Sequence, residues 1–437
     1  MVTDEEDNLR DEENDATRKI KSRTIWAFGV IGFVVDFFFT IAVSASQDIL
    51  EATKIPTSLV LLAAAAPACL ATVIYPYVFQ RVSVSVACGM SFILSVTGML
   101  FMSLLDEPRL KLIALCLVSF GYGSTEAVFY PLTSLYGAST INSYALGSGC
   151  SFIVAPLTYI GLTMLACLSP QISLLVITSL WILLPISYIA MEKPSNSNHG
   201  DDSENHHPMS FKDIPYSPVE SNASDTSAES TLSYNEMLSL VWQTQPLFIG
   251  LFVGIFCKQL LVISVVTTIA FPNISVTPRN QYLLYVLVSG AGEMLGRPYL
   301  AYLSFCGIEK KFVVRKPWFL AFLNALIMIV MVFDSWFRFQ FLSHFYSAAA
   351  LVFVNNLLSG MLFVNTFHMA GEGLSVAERT FCHALLVGAL WTALVAVALI
   401  GLNTESHLRE HCVHYFSEVA CFTRSPTAWE PSASCVL

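Results

Sequence analysis

Apolar residues fall in runs of about 20, the length that spans a bilayer core of roughly 30 Å. These runs lie near 25–46, 57–79, 83–105, 112–136, 145–166, 172–190, 247–271, 281–304, 317–334, 345–368 and 379–402, which makes eleven. No stretch alternates with the period of a strand, so the pattern predicts helices throughout. The predicted fold class is an all-α polytopic membrane protein. One long polar insert, 191–245, is rich in Ser, Asn, Asp and Pro and reads as a disordered cytosolic linker. It divides the chain into a first half of six spans over 25–190 and a second half of five over 246–402. A polar tail, 403–437, follows. That split fits a major-facilitator plan of two halves related by an axis along the membrane normal, with the final helix missing.

Residues 1–24 are acidic and then basic, with no apolar run or cleavage pattern, and read as a disordered tail rather than a signal peptide. Arg18, Lys19, Lys21 and Arg23 just before the first span place the N-terminus in the cytosol. An odd number of spans then puts the C-terminal tail on the other face. The loops assigned inside carry Arg81, Lys193, Lys212, Lys310, Lys311, Arg315, Lys316 and Arg379. Those assigned outside carry Lys54, Arg109, Lys111, Arg279 and Arg338, and the tail adds Arg409 and Arg424. Composition agrees: 55% of the 437 residues are hydrophobic and 12% are charged, against about 25% charged in soluble domains. The net charge of −10 says little, because much of the acid lies in two polar segments. There is no P-loop, which excludes an ATP-driven pump of that type. No nucleophile constellation, metal spacing or cofactor motif supports an enzyme.

The polar residues inside the runs carry the functional information. Glu126 stands within the run Ser119–Gly137. A carboxylate at membrane depth costs about 2.5–3.5 kcal/mol even on the lenient scale, so it faces a cavity or a partner. Gly121 and Gly123 before it and Pro131 after it would loosen the helix where protein or water re-satisfies the backbone. The alternative is a hydrogen-bonded acid that glues two helices. Asp36 in span one and Lys258 in span seven lie at like depth in spans that a two-half plan relates by symmetry. They would neutralise each other, with cargo or a proton competing for either, or form a fixed structural pair. Glu293 and Arg297 in span eight are spaced to pair along the helix, and Arg297 is expected to snorkel to the cytosolic interface. Asn355 and Asn356 lie in span ten, with Asn365 and His368 near its cytosolic end. A histidine there can relay protons or serve structure alone. Spans one, four, seven and ten should line the cavity of such a fold, so Asp36, Glu126, Lys258 and the span-ten asparagines are expected to be wet.

Outside the spans, Tyr216–Val219 and Tyr234–Met237 fit a tyrosine-based sorting pattern that an adaptor would read. Asn273 heads a glycosylation sequon in a loop facing the lumen, whereas Asn222 would face the cytosol. Cys412 and Cys421 lie in the luminal tail, where an oxidising environment permits a disulfide. The remaining cysteines are mostly small apolar packers in spans.

Several stretches together resemble the battenin family. Phe363-Val364-Asn365-Thr366-Phe367-His368 resembles its VNTFH signature. Ser44 to Leu50, SASQDIL, resembles its SAAHDIL after span one. Glu126, six residues before Leu132-Thr133, matches its acid before LTAFY. Leu146–Gly149 with Tyr159–Thr163 is similar to its SSGTGG and SYLGLT, and the sequon at Asn273 matches in position. The resemblance covers roughly 25 to 402. It implies a major-facilitator-like fold in the lysosomal or late-endosomal membrane. It also implies a part in clearing glycerophosphodiesters, in lysosomal pH balance, and in basic amino-acid transport as in fungal vacuoles. The chain departs from the family where EYFINQG carries an acid and this sequence has Lys258, and it gains Glu293 where members are apolar. Compensation between Lys258 and Glu293 follows from that exchange. Gln47 replaces the family histidine. Cys435 is third from the end, so no prenylation box exists.

The reading is a secondary transporter without a cofactor, embedded in lipid and carrying a small molecule, either an anionic phosphodiester or a basic amino acid. Glu126 and Asp36 would handle a proton or a cargo amine. Lys258 would take an anionic group, with Asn355, Asn356 and Asn365 lending polar contacts. The competing reading is a lysosomal scaffold that organises vesicle traffic through the 191–245 insert.

Overall fold

The computed structural model describes residues 22–51, 53, 55–78, 83–136, 138–191, 234–271, 274, 276–305, 312–337, 344–415 and 421. Among them there are helices and no strand. We number the long segments in chain order: α1 Ser22–Ser44, α2 Ser58–Val78, α3 Val84–Leu104, α4 Pro108–Tyr136 and α5 Ala138–Ile160. Then follow α6 Pro170–Ala190, α7 Tyr234–Leu260, α8 Pro278–Gly296, α9 Pro317–Phe337, α10 Phe345–Ala370 and α11 Val376–Tyr415. Among the described residues nine segments are long and apolar enough to cross a membrane. The other two are α2, whose apolar stretch is shorter, and α8, which carries Arg279, Gln281 and Glu293.

Local signals set the helix ends. Ser169 and Thr277 accept from Ile172 N and Asn280 N, each followed by a proline at the first helical position. Ser375 and Glu378 form a reciprocal capping box before α11, with the Ser375 N–H donating to Glu378 Oε2 at 2.8 Å. That backbone donor holds the exposed Glu378 carboxyl below the usual carboxylate range.

The packing pairs repeat after six segments. In the first half α1 packs on α5 and α2 on α4; in the second, α7 packs on α11 and α8 on α10. The halves meet where α2 lies on α11 and α5 on α8, a pair of contacts that the same relation exchanges. Small residues permit the closest approaches. A Cβ on Gly147 would sit 1.8 Å from the Gly29 carbonyl oxygen, so α1 and α5 touch backbone to backbone. Gly123 does the same for α4 on α2, where a Cβ would meet the Ala68 Cα at 2.5 Å. α4 is one unbroken helix around Glu126, so these glycines serve contact and do not loosen it.

The interruptions fall elsewhere. α5 ends in a π-turn, Gly161–Leu165, and α6 has a 3-10 turn, Ser179–Ile182. α7 passes into a π-turn, Leu261–Val265, just beyond Lys258. α8 breaks after Arg297 at Pro298, which has no N–H to give, before Tyr299–Phe305 resumes.

Two boundaries differ from expectation. α7 starts at Tyr234, so Tyr234–Met237 is its first turn and not part of a linker running to 245. α11 runs 40 residues, to Tyr415, so the first third of the expected tail is helix. Hydropathy marks only the part of a helix that lies in lipid, and the extension is held by protein contacts: Leu408 and Cys412 are buried and His411 stacks on Trp336 with ring centroids 3.6 Å apart. The N-terminal tail to residue 21, Tyr216 and Asn273 lie outside the described residues. Cys412 and Cys421 are joined by a disulfide, with Cα atoms 5.7 Å apart. Cys167, at the same end of the bundle, is disulfide-bonded too. We call this the disulfide end.

Candidate functional site

A cavity lies between the halves, lined from α1 by Asp36, from α4 by Glu126 and Tyr130, and from α5 by Tyr144, Ser148 and Phe152. From α7, α8, α10 and α11 come Lys258, Arg297, Phe363 and Trp391. Its volume is about 50 Å³, room for a few waters. Helical spacing explains the clustering: Glu126 and Tyr130 are one turn apart on α4, and Tyr144, Ser148 and Phe152 repeat every four residues on α5.

The charged groups form a chain across the interface. Glu293, fully buried on α8, accepts from Lys258 Nζ on one carboxylate oxygen and from Arg297 Nε at 2.9 Å on the other. The Arg297 guanidinium donates through Nη1 to Ser148 Oγ and stands 3.6 Å from Asp36. Ser148 in turn donates to Asp36 Oδ2. The guanidinium is also held between two rings, 4.5 Å from the Phe152 centroid and 4.3 Å from that of Phe363. Arg297 and Ser148 thus fasten the second half to the first at mid-depth. Glu126 stands outside this chain. Its Oε2 accepts from the Trp391 indole N–H at 2.7 Å, and among the described residues no cation lies within ion-pair distance of it. Three acids and two bases meet here. If all were ionised, one negative charge would be left over in a low-dielectric interior, where an uncompensated charge is costly.

Asp36, Glu126, Lys258 and Glu293 are brought together around the cavity. Lys258 faces Glu293, while Asp36 takes Arg297 instead of Lys258. The expectation that Arg297 snorkels to the interface is corrected: it is buried in the network, because the break at Pro298 leaves it aimed inward beside its partner one turn back. The expected span-ten residues, Asn355, Asn356, Asn365 and His368, do not line the cavity, to which α10 contributes Phe363 instead. Asn355 Nδ2 donates to the Asn324 carbonyl of α9, and Asn356 Oδ1 accepts from Ser289 of α8. Asn365 accepts from Val314 N and donates to Tyr299. These side chains tie helices together. His368 is exposed at the end of α10. The pairing of Arg297 with Glu293 follows the sequence spacing, but its place at the cavity does not, and Ser148, Tyr130, Tyr144 and Trp391 carry no expectation as cavity residues. Ser148 sits in the LGSG stretch that carries the family resemblance, and Arg297 one turn from an intramembrane acid and next to a proline; those were the signals available.

Comparison with known proteins adds the following. The sequence profile described as CLN3 protein matches residues 25–411. Battenin of Canis lupus familiaris is 24% identical over 394 residues, 83% of this chain and 86% of that protein. Protein BTN1 of Saccharomyces cerevisiae is 25% identical over 411 residues, 88% of this chain and 94% of the relative. Among solved structures, an inward-facing, unoccupied bacterial homolog of the human lysosomal transporter Spinster superposes with a TM-score of 0.55. It shares 12% identity and covers 95% of this chain and all of its own. The nucleoside transporter NupG superposes at 0.53, with 10% identity, 93% of this chain and 95% of its own. At those identities the likeness concerns the fold, which is major-facilitator-like.

Proposed function

The chain belongs to the CLN3 protein family, and on that premise we propose that it is a secondary transporter moving a small polar metabolite across the lysosomal membrane by alternating access. The observation that carries this reading is the chain of hydrogen-bonded, ionisable side chains contributed by both halves around one cavity. Apolar packing would hold the halves together without it, and buried charges at membrane depth are retained where they handle an ion or a substrate. Glu126, outside the ion-paired chain, takes the proton. Arg297 and Lys258 receive an anionic group, and the cargo class we favour is a phosphodiester such as the glycerophosphodiesters. A cargo amine would meet Asp36 and Glu126.

The N-terminus faces the cytosol and the disulfide end faces the lumen. Support comes from the disulfides, which need an oxidising compartment. Among the described residues the free cysteines lie within helices. Asn273 is then on the luminal side and open to glycosylation, and Tyr216 and Tyr234 are on the cytosolic side, within reach of sorting adaptors.

The test is the small-molecule content of lysosomes purified from null cells, compared after rescue with wild type, Glu126→Gln or a chain lacking 192–233. Glycerophosphodiesters should accumulate in the null and be cleared by wild type and by the deletion, but not by Glu126→Gln at equal lysosomal abundance. Clearance lost with the deletion and kept with Glu126→Gln would favour the scaffold.

A further inference from the structure

Between the cavity and the disulfide end the two halves are joined by directional polar contacts. Arg279, in the first turn of α8, forks onto Asp48 in the short turn Ser46–Ile49 after α1. Its Nε donates to Oδ1 and its Nη2 to Oδ2, both at 2.6 Å. Tyr159 of α5 adds a hydrogen bond to Asp48 Oδ2 at 2.6 Å. One turn along α8, the Tyr282 hydroxyl donates to the Val43 carbonyl at 3.1 Å and shares a hydrogen bond with Ser46 at 3.0 Å. On the other seam Glu405 of α11 accepts from Thr57 N, Ser58 N and Ser58 Oγ at 2.9–3.1 Å. A carboxylate there satisfies the free N–H groups at the start of α2 and complements its dipole. Ser58 also bonds Ser264 beyond α7.

Tyr159 braces Asp48 within the first half; the other contacts all cross from one half to the other, and none of the residues lines the central cavity. A pair of halves that never moved apart would be held as well by apolar packing. Arg279 keeps 15% of its side chain exposed and Asp48 7%. The fork therefore sits at the edge of solvent, where water can replace its partners when it opens. Bidentate, charge-assisted bonds are strong and geometrically specific, so the fork holds in one arrangement of the halves and is lost when they part.

We propose that the Asp48–Arg279–Tyr159 fork and the Glu405 grip on α2 are the luminal gate of the transporter. Resting on the transport reading above, the proposal makes these positioning residues: they touch no cargo, and they set which side of the membrane the cavity faces. Broken, they let the α1–α2 and α7–α8 ends part and admit cargo from the lumen.

The test needs no knowledge of the cargo. A cysteine replaces the cavity-lining Ala145 in the full-length protein in sealed membranes. A membrane-impermeant thiol reagent is then applied from the luminal or the cytosolic side, with the parent protein as background. Asp48→Asn should raise the luminal labelling rate roughly tenfold and lower the cytosolic rate, by population shift alone. Glu405→Gln, a milder change, should move both rates the same way by less, which keeps the proposal testable if Asp48→Asn misfolds. A structural tie would lower thermal stability and leave the ratio of luminal to cytosolic labelling unchanged in both variants, which would overturn the gate. Cysteines at positions 48 and 279 joined by a short bifunctional thiol reagent should abolish luminal labelling; labelling that persists after cross-linking contradicts the proposal. Labelling that switches sides in a protein without cargo flux would uphold the gate and sink the transport reading.

Discussion

At the disulfide end the halves meet through an arginine forked onto a carboxylate at 2.6 Å, the Tyr282 hydroxyl and a carboxylate seated on a helix start. At the opposite end they meet through rings. Tyr130 of α4 lies 5.5 Å from Phe367 of α10 and 5.3 Å from Tyr144, and Phe367 lies 5.4 Å from the buried His383 of α11. Among the described residues no ion pair joins the halves at that aromatic end. Ring contacts change little as faces slide, while a fork is either made or broken. A bundle closed by both has one end that yields gradually and one that switches.

The comparison can be broken by mutation. Arg279→Ala strands Asp48 with Tyr159 alone and should cost about 3 kcal/mol, read as a fall in thermal unfolding temperature of the purified protein. Phe367→Leu keeps the bulk at the aromatic end and gives up ring geometry with Tyr130, Phe363 and His383, for about 1.5 kcal/mol. An equal loss in the two variants would erase the distinction between the ends. Glu405→Gln keeps an acceptor but removes the charge from the α2 start, and should cost about 1 kcal/mol.

The smallest effect concerns Glu51, in the loop beside the fork. Burial, then the neighbouring Asp48, holds its carboxyl above the ordinary carboxylate value of 4.5, against the pull of Lys111 and Arg279. An acid whose folded value is raised opposes folding while ionised, and that penalty is relieved as pH falls through the folded value. Stability should therefore rise slightly as pH falls from neutral towards that range. Glu51→Gln should be the more stable form at neutral pH and lose the rise. Unfolding profiles of the two proteins that coincide from pH 7 down to the ordinary carboxylate range would contradict the assignment.

Sequence showed the spans and the charges because both break a simple rule: apolar runs of fixed length, and ions where none belong. It gave depth but not rotation about the helix axis. Asn355 and Asn356 share the depth of a cavity residue, yet they face α9 and α8, where an intramembrane amide glues helices. Its place near the end of an apolar run points Arg297 to the interface, because counting does not see that Pro298 interrupts the helix. The cavity's aromatic residues were not legible either, since Tyr130, Tyr144 and Trp391 look like any packed ring until the partner helices are in place. Lys258 and Glu293 were legible as a pair, each the departure that the other explains.

The most direct test of the transport account is flux of a glycerophosphodiester through full-length protein in liposomes with an acidic interior. Wild type should export it faster when the interior is acidified. Arg297→Gln should abolish the flux, and Glu126→Gln should keep exchange without a pH gradient while losing the acceleration by acid. Flux in both variants equal to wild type at every interior pH would contradict a cargo and proton site at this cluster.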